Sequence, residues 1–145
     1  GYTIYANIGY LFSNDCRSIW NEIAFSNLIQ NYVPDAQADP QKEDFYKITS
    51  VFWLLLESLL PDKVIVCSKG IWNDWVPSNS DDSNKKCIIK GEISENNMRS
   101  NLWQYDYTNG SCLAIGITHP SWMFGRNGTP QEWRPLIESF LSLKL

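Results

Sequence analysis

The chain contains a single histidine, His119. It follows the apolar run Cys112–Ile117 and opens the stretch His119-Pro120-Ser121-Trp122-Met123-Phe124-Gly125-Arg126. An imidazole exchanges its proton near neutrality, so it can donate, accept or transfer one. Pro120 fixes the backbone just past the ring. Ser121 offers a hydroxyl and an N–H to an anion. Trp122, Met123 and Phe124 form an apolar tip that a soluble protein would normally bury. A lone histidine is usually structural. His119 gains weight from its place at the carboxyl end of a predicted strand, where α/β sheets bind ligands. Two other predicted strand ends carry polar or aromatic residues: Asn27 within Ile23–Gln30, and Ser68 to Trp72 after the Lys63–Cys67 run.

Other chemistries have weaker support. Cys16, Cys67, Cys87 and Cys112 form no C-x-x-C pair, so zinc and iron–sulfur sites are not signalled, and the reading calls for no metal and no cofactor. Cys67 and Cys112 sit in apolar runs and are expected as buried thiols of a cytoplasmic protein. Asn109-Gly110-Ser111 and Asn127-Gly128-Thr129 match the glycosylation triplet, but Pro130 makes the second a poor acceptor. A serine hydrolase using Ser121 or Ser68 with His119 ranks last, because neither serine lies in a Gly-x-Ser-x-Gly elbow. Asp15, Asp35 and Asp74 have no context that marks them as activating water. The net charge of −4 counts against a grip on nucleic acid by bulk charge. It leaves local basic groups at Lys85, Lys86 and Lys90, and at Arg126 and Arg134. No apolar stretch is long enough to cross a membrane.

These residues need a scaffold. At 145 residues, with 43% hydrophobic and 19% charged, the chain reads as one globular domain, 1–145. The opening run Thr3–Phe12 is apolar and β-prone, with unclear register. Cys16–Glu22 suggests a helical turn, and Ile23–Gln30 a short buried strand. Pro34, Asp39 and Pro40 mark a loop. Phe45, Ile48, Phe52, Leu55, Leu56 and Leu59 recur at helical spacing and predict a helix that stops at Pro61-Asp62. Lys63–Ser68 then reads as a buried strand and Lys69–Val76 as the next helix start. Pro77–Lys86 is loop-like. Cys87–Ser94 predicts a strand, and Asn101–His119 a strand, an Asn-Gly turn and a very apolar strand. Thr129, Pro130 and Glu132 make a capping box for a final helix with the stripe Trp133, Leu136, Ile137, Phe140, Leu141. The expected fold is α/β, a three-layer α/β/α arrangement with a largely parallel central sheet.

Three of these segments together resemble the uracil-DNA glycosylase superfamily. The strand-end His119-Pro120-Ser121 and its loop look like the distal motif. The Ala24–Gln30 segment resembles the second strand, and Leu59–Trp72 the middle strand with its helix entry. The likeness runs from about Ile23 to the end, and His-Pro-Ser is its most specific part. It implies a DNA glycosylase-like protein that recognises a flipped uracil or modified base and hydrolyses its N-glycosidic bond. His119 would donate a hydrogen bond to the base oxygen that gains charge. Asn27 would read the base edge and Phe12 would stack on it. Ser121, Trp122, Phe124 and Arg126 would contact DNA, with the aromatic tip as a wedge. The superfamily's first motif, a Gly-rich loop ending in Pro with a water-positioning acid, has no counterpart here. Either it lies upstream of Gly1 or it has been lost. In the second case the chain is a non-catalytic module binding a nucleotide or base.

Overall fold

The C-terminal helix shows most directly how local sequence becomes structure. Its Thr129 hydroxyl accepts the Glu132 N–H at 3.2 Å, as a capping residue should, and Pro130 occupies the first turn. Trp133, Leu136, Ile137 and Phe140 fall on one face and are buried. Each such side chain contributes roughly 1.5–3 kcal/mol on burial. Pro135 lies inside the helix.

The computed structural model describes residues 2–29, 41–77 and 82–145. In chain order these form α1 (Tyr2–Tyr10), α2 (Lys42–Tyr46), α3 (Ile48–Leu59), β1 (Lys63–Val66), α4 (Lys69–Asp74), β2 (Lys86–Glu95), β3 (Met98–Tyr107), β4 (Gly110–Gly116) and α5 (Pro130–Ser142). Single 3₁₀ turns lie at Ser18–Asn21, Pro120–Trp122 and Gly125–Asn127. The fold is mixed α/β, with a four-stranded sheet in the order β1-β4-β3-β2.

The sheet is not largely parallel, which corrects the sequence expectation. Only β1 and β4 run parallel; β2–β3 and β3–β4 are antiparallel hairpins. The cause is local. Asn96 and Asn97 both take positive φ, at 51° and 65°, and close a tight β2–β3 turn. Thr108 and Asn109 close the next, with Tyr107 opposite Gly110. Two consecutive two-residue turns force antiparallel neighbours.

Three further expectations change. Tyr2–Tyr10 is a helix, not a strand, and buries Ile8 with the following Leu11. Residues 23–29 form no strand, and the end of that predicted strand, Gln30, lies outside the described residues along with the loop marked by Pro34, Asp39 and Pro40. The long central helix is two, α2 and α3, joined at Lys47. Of the predicted Pro77–Lys86 loop, residues 78–81 are also outside the described residues.

Helices cover both faces of the sheet. Phe52, Trp53 and Leu56 of α3 and Trp72 of α4 pack with Tyr105, Cys112 and Ala114. The α5 stripe packs with Leu11, Leu113, Ile115, Ile117 and Met123 on the other face. Alternate residues of β4 thus serve opposite cores, as the two-residue period of a strand requires.

Candidate functional site

The two parallel strands diverge beyond their carboxyl ends. After β1 the chain turns into α4, whose Trp72 joins the α3 side of the sheet. After β4 it passes through Met123 into α5, on the opposite side. Adjacent parallel strands whose connections leave to opposite faces open a crevice between them, the usual place for a ligand in a sheet of this kind. An open cleft of about 550 Å³ lies there. Ser68, Lys69, Gly70, Thr118, His119, Ser121, Trp122 and Asn127 line it. Its size is within the ~300–1,000 Å³ of small-molecule sites.

The walls are held by backbone geometry. The Ile117 N–H donates to the Val66 carbonyl at 2.9 Å, carrying the β1–β4 pairing to the cleft floor. Ser68 caps α4, its hydroxyl accepting the Ile71 N–H at 3.3 Å. The Gly116 N–H donates to the buried Ser100 hydroxyl at 2.9 Å. Gly116 also has to be glycine: a methyl there would overlap the Trp72 side chain.

His119 caps the turn Pro120–Trp122 and is exposed at the cleft. Its Nδ1 accepts the Ser121 N–H at 3.2 Å and lies 2.7 Å from the Ser121 hydroxyl. An N–H can only donate, so Nδ1 must carry the lone pair. In the neutral ring the proton therefore sits on Nε2. The surrounding protein strips water from the ring and lowers its pKa below the usual 6.5, which favours this neutral form. The result is an uncharged N–H donor beside the cleft. The turn is anchored from afar, since the Asn7 amide of α1 donates to the Pro120 carbonyl at 2.8 Å.

The tip after the turn divides. Met123 is buried in the α5-side core, whereas Trp122 and Phe124 are 60% and 58% exposed. Their rings are 6.0 Å apart and tilted by 32°. Arg126 is exposed in the next turn, whose Asn127 lines the cleft. Lys69 brings positive charge, its Nζ 5.4 Å from the centre of the Trp133 ring. The Trp133 indole N–H donates to the Asn127 carbonyl at 2.8 Å, tying that wall to α5.

The structure thus brings His119, Ser121 and Trp122 to one cleft and sets Phe124 against Trp122. It does not place the other three predicted residues, Asn27, Phe12 and Arg126, at the cleft wall. Asn27 is exposed in a segment, residues 23–29, that forms no strand among the described residues. Phe12 packs against the α5-side core, where a half-buried phenyl ring gains more than it would in water. Sequence reasoning named the Ser68–Trp72 segment without singling out Lys69, and it missed Asn127 as a cleft residue and the anchoring Asn7. The position of Lys69 was legible as the residue after a strand-end serine. That of Asn7 was not, since its partner is 113 residues away.

No family model, curated protein or solved structure matches the chain.

Proposed function

We propose that the cleft recognises an extruded nucleobase of DNA and that its chemistry, in a DNA-repair setting in the cytoplasm, is hydrolysis of the N-glycosidic bond. The observation that carries this reading is His119 at the carboxyl end of β4, its Nδ1 accepting the Ser121 N–H beside an open cleft of about 550 Å³, which leaves Nε2 as the donor of the neutral ring. A departing base gathers negative charge on its carbonyl oxygen. A neutral donor aimed at that oxygen stabilises the charge without the cost of desolvating a cation. Trp122 and Phe124 supply flat exposed rings that fill the gap a flipped base leaves. Lys69 and Arg126 supply cations for the neighbouring phosphates. Helices on both faces of the sheet are compatible with a divergent glycosylase-like layering, with the β2–β3 hairpin as the departure. Among the described residues no carboxylate lines the cleft, so base recognition has stronger support than water activation.

The test uses labelled single- and double-stranded oligonucleotides carrying uracil or other altered bases. Binding is read by anisotropy and excision by hot-alkali cleavage. Cleavage or altered-base binding that is lost in a folded His119→Ala variant is the expected result. Wild-type behaviour in that variant, or indifference of the wild type to every altered base, overturns the reading.

The 2.7 Å contact between Ser121 Oγ and His119 Nδ1 favours a second reading, a Ser/His hydrolase. The same contact follows from the capping turn alone. Stoichiometric labelling of Ser121 by a fluorophosphonate would establish the hydrolase in place of the base-binding reading.

A further inference from the structure

The sheet ends at β2, a ten-residue strand that pairs only with β3 among the described strands. Most of its residues are exposed, including Ile88 at 41% and Ile89 at 68%. A long edge of this kind is a template for another strand. Natural edges usually repel one another through like charge. The charges of β2 do the reverse. Its first half carries Lys86 and Lys90, its second half Glu92 and Glu95.

A bulge divides the halves. Ile89 pairs with Trp103 and Gly91 with Leu102, leaving Lys90 as the extra residue, and Gly91 takes φ 120°. The bulge reverses which face each residue serves. Cys87, before it, packs on the α3 side, and Ile93, after it, packs on the α5 side. By alternation Lys86 and Ile88 share the face of Ile93 and Glu95, while Cys87 and Ile89 share that of Glu92 and Ser94.

We propose that a second copy of this chain docks along this edge, its β2 antiparallel to the first across a two-fold axis between Lys90 and Gly91. In that register Lys86 of each copy faces Glu95 of the other, and Ile88 faces Ile93. Cys87 faces Ser94, and Ile89 covers the stem of Glu92. Every facing pair lies on the same side of the joined sheet, a match that depends on the bulge. The contact is isologous, as closed dimers require. Lys86 already faces Asp106 of β3, and the Ser139 hydroxyl of α5 donates to Glu95 at 2.9 Å. The Glu95 end of the proposed ion pairs is therefore oriented before association.

One strand pair lies below the ~1,200 Å² of a standard stable interface, so the dimer is expected to populate between roughly 0.1 and 1 mM protein. Sedimentation velocity over that range tests it. Lys86→Glu alone and Glu95→Lys alone each turn two attractive facing pairs into repulsive ones, and each is expected to weaken association about tenfold. The double variant K86E/E95K restores opposite charges and is expected to recover wild-type association, which also shows that the substitutions leave the fold intact. A wild type that stays monomeric throughout overturns the proposal. So does a dimer that ignores the single changes, or a double variant weaker than both.

Discussion

Ser100→Ala removes one hydroxyl and isolates one buried N–H. The β3–β4 pairing reaches Leu102 opposite Ile115 and goes no further. Past that point the Ser100 side chain stands in for a strand carbonyl, accepting from Gly116 N–H at 2.9 Å and donating to the Asn101 carbonyl at 2.8 Å. Asn101 is exposed, so water replaces the second bond. Gly116 is buried, and no water replaces the first. An orphaned buried donor costs about 1–3 kcal/mol. For a domain of this size that is a fall of roughly 2–4 °C in melting temperature per kcal/mol. Urea unfolding followed by far-UV circular dichroism is the assay, with the midpoint lowered and the slope unchanged. Ser58→Ala is the control. Its hydroxyl donates to the Leu54 carbonyl on an exposed helix face, and its loss is expected to cost under about 0.5 kcal/mol. Equal midpoints for the two variants would refute the account of how β4 is held beneath the cleft.

Four further outcomes are expected. Gly116→Ala forces the Trp72 side chain aside, costs about 1–3 kcal/mol by overpacking and shifts the tryptophan emission; unchanged stability and emission would contradict the close approach. Asn7→Ala costs about 1 kcal/mol and speeds hydrogen exchange at Ser121 and Trp122, since it frees the Pro120 carbonyl. His119 has a folded pKa below 6.5, so the unfolded chain binds its proton first; its small contribution to stability is complete above 6.5 and declines as pH falls toward the folded value, where protonation of Nδ1 also ejects the Ser121 N–H. Titrating the ring by NMR in wild type and Ser121→Pro, which lacks that N–H, reads this directly, with a higher pKa expected in the variant. Burial raises the thiols of Cys67 and Cys112 to about 12 and of Cys87 to about 11; Cys112 is buried whereas Cys67 and Cys87 are half-buried, so iodoacetamide at pH 8 should alkylate all three more slowly than in the unfolded chain, Cys112 slowest.

The candidate site was partly legible because its central residues are close in sequence. His119, Ser121 and Trp122 share one turn, and the apolar run before them announced a strand end. Met123 is the exception within that tip, facing the core while its neighbours face water. Asn27 entered as the polar residue of a predicted strand end and Phe12 by likeness to a motif, and neither lines the cleft. Whether residues 23–29 form a strand depends on a neighbour to pair with, and a short apolar run does not contain that information.

What the sequence determined by itself was local: the capped, striped helix α5, the apolar run of β4, the short strand β1 and the histidine at a strand end. Each depends on propensity, periodicity and contacts a few residues apart. Tertiary structure decided the rest. It turned the β-prone opening run into a helix whose Asn7 holds the histidine turn. It joined β1 to β4 across the intervening hairpin, and so created the crevice. It sent the chains after those two strands to opposite faces of the sheet. These outcomes depend on groups many tens of residues apart competing for the same surfaces, and no window of sequence carries the result of that competition.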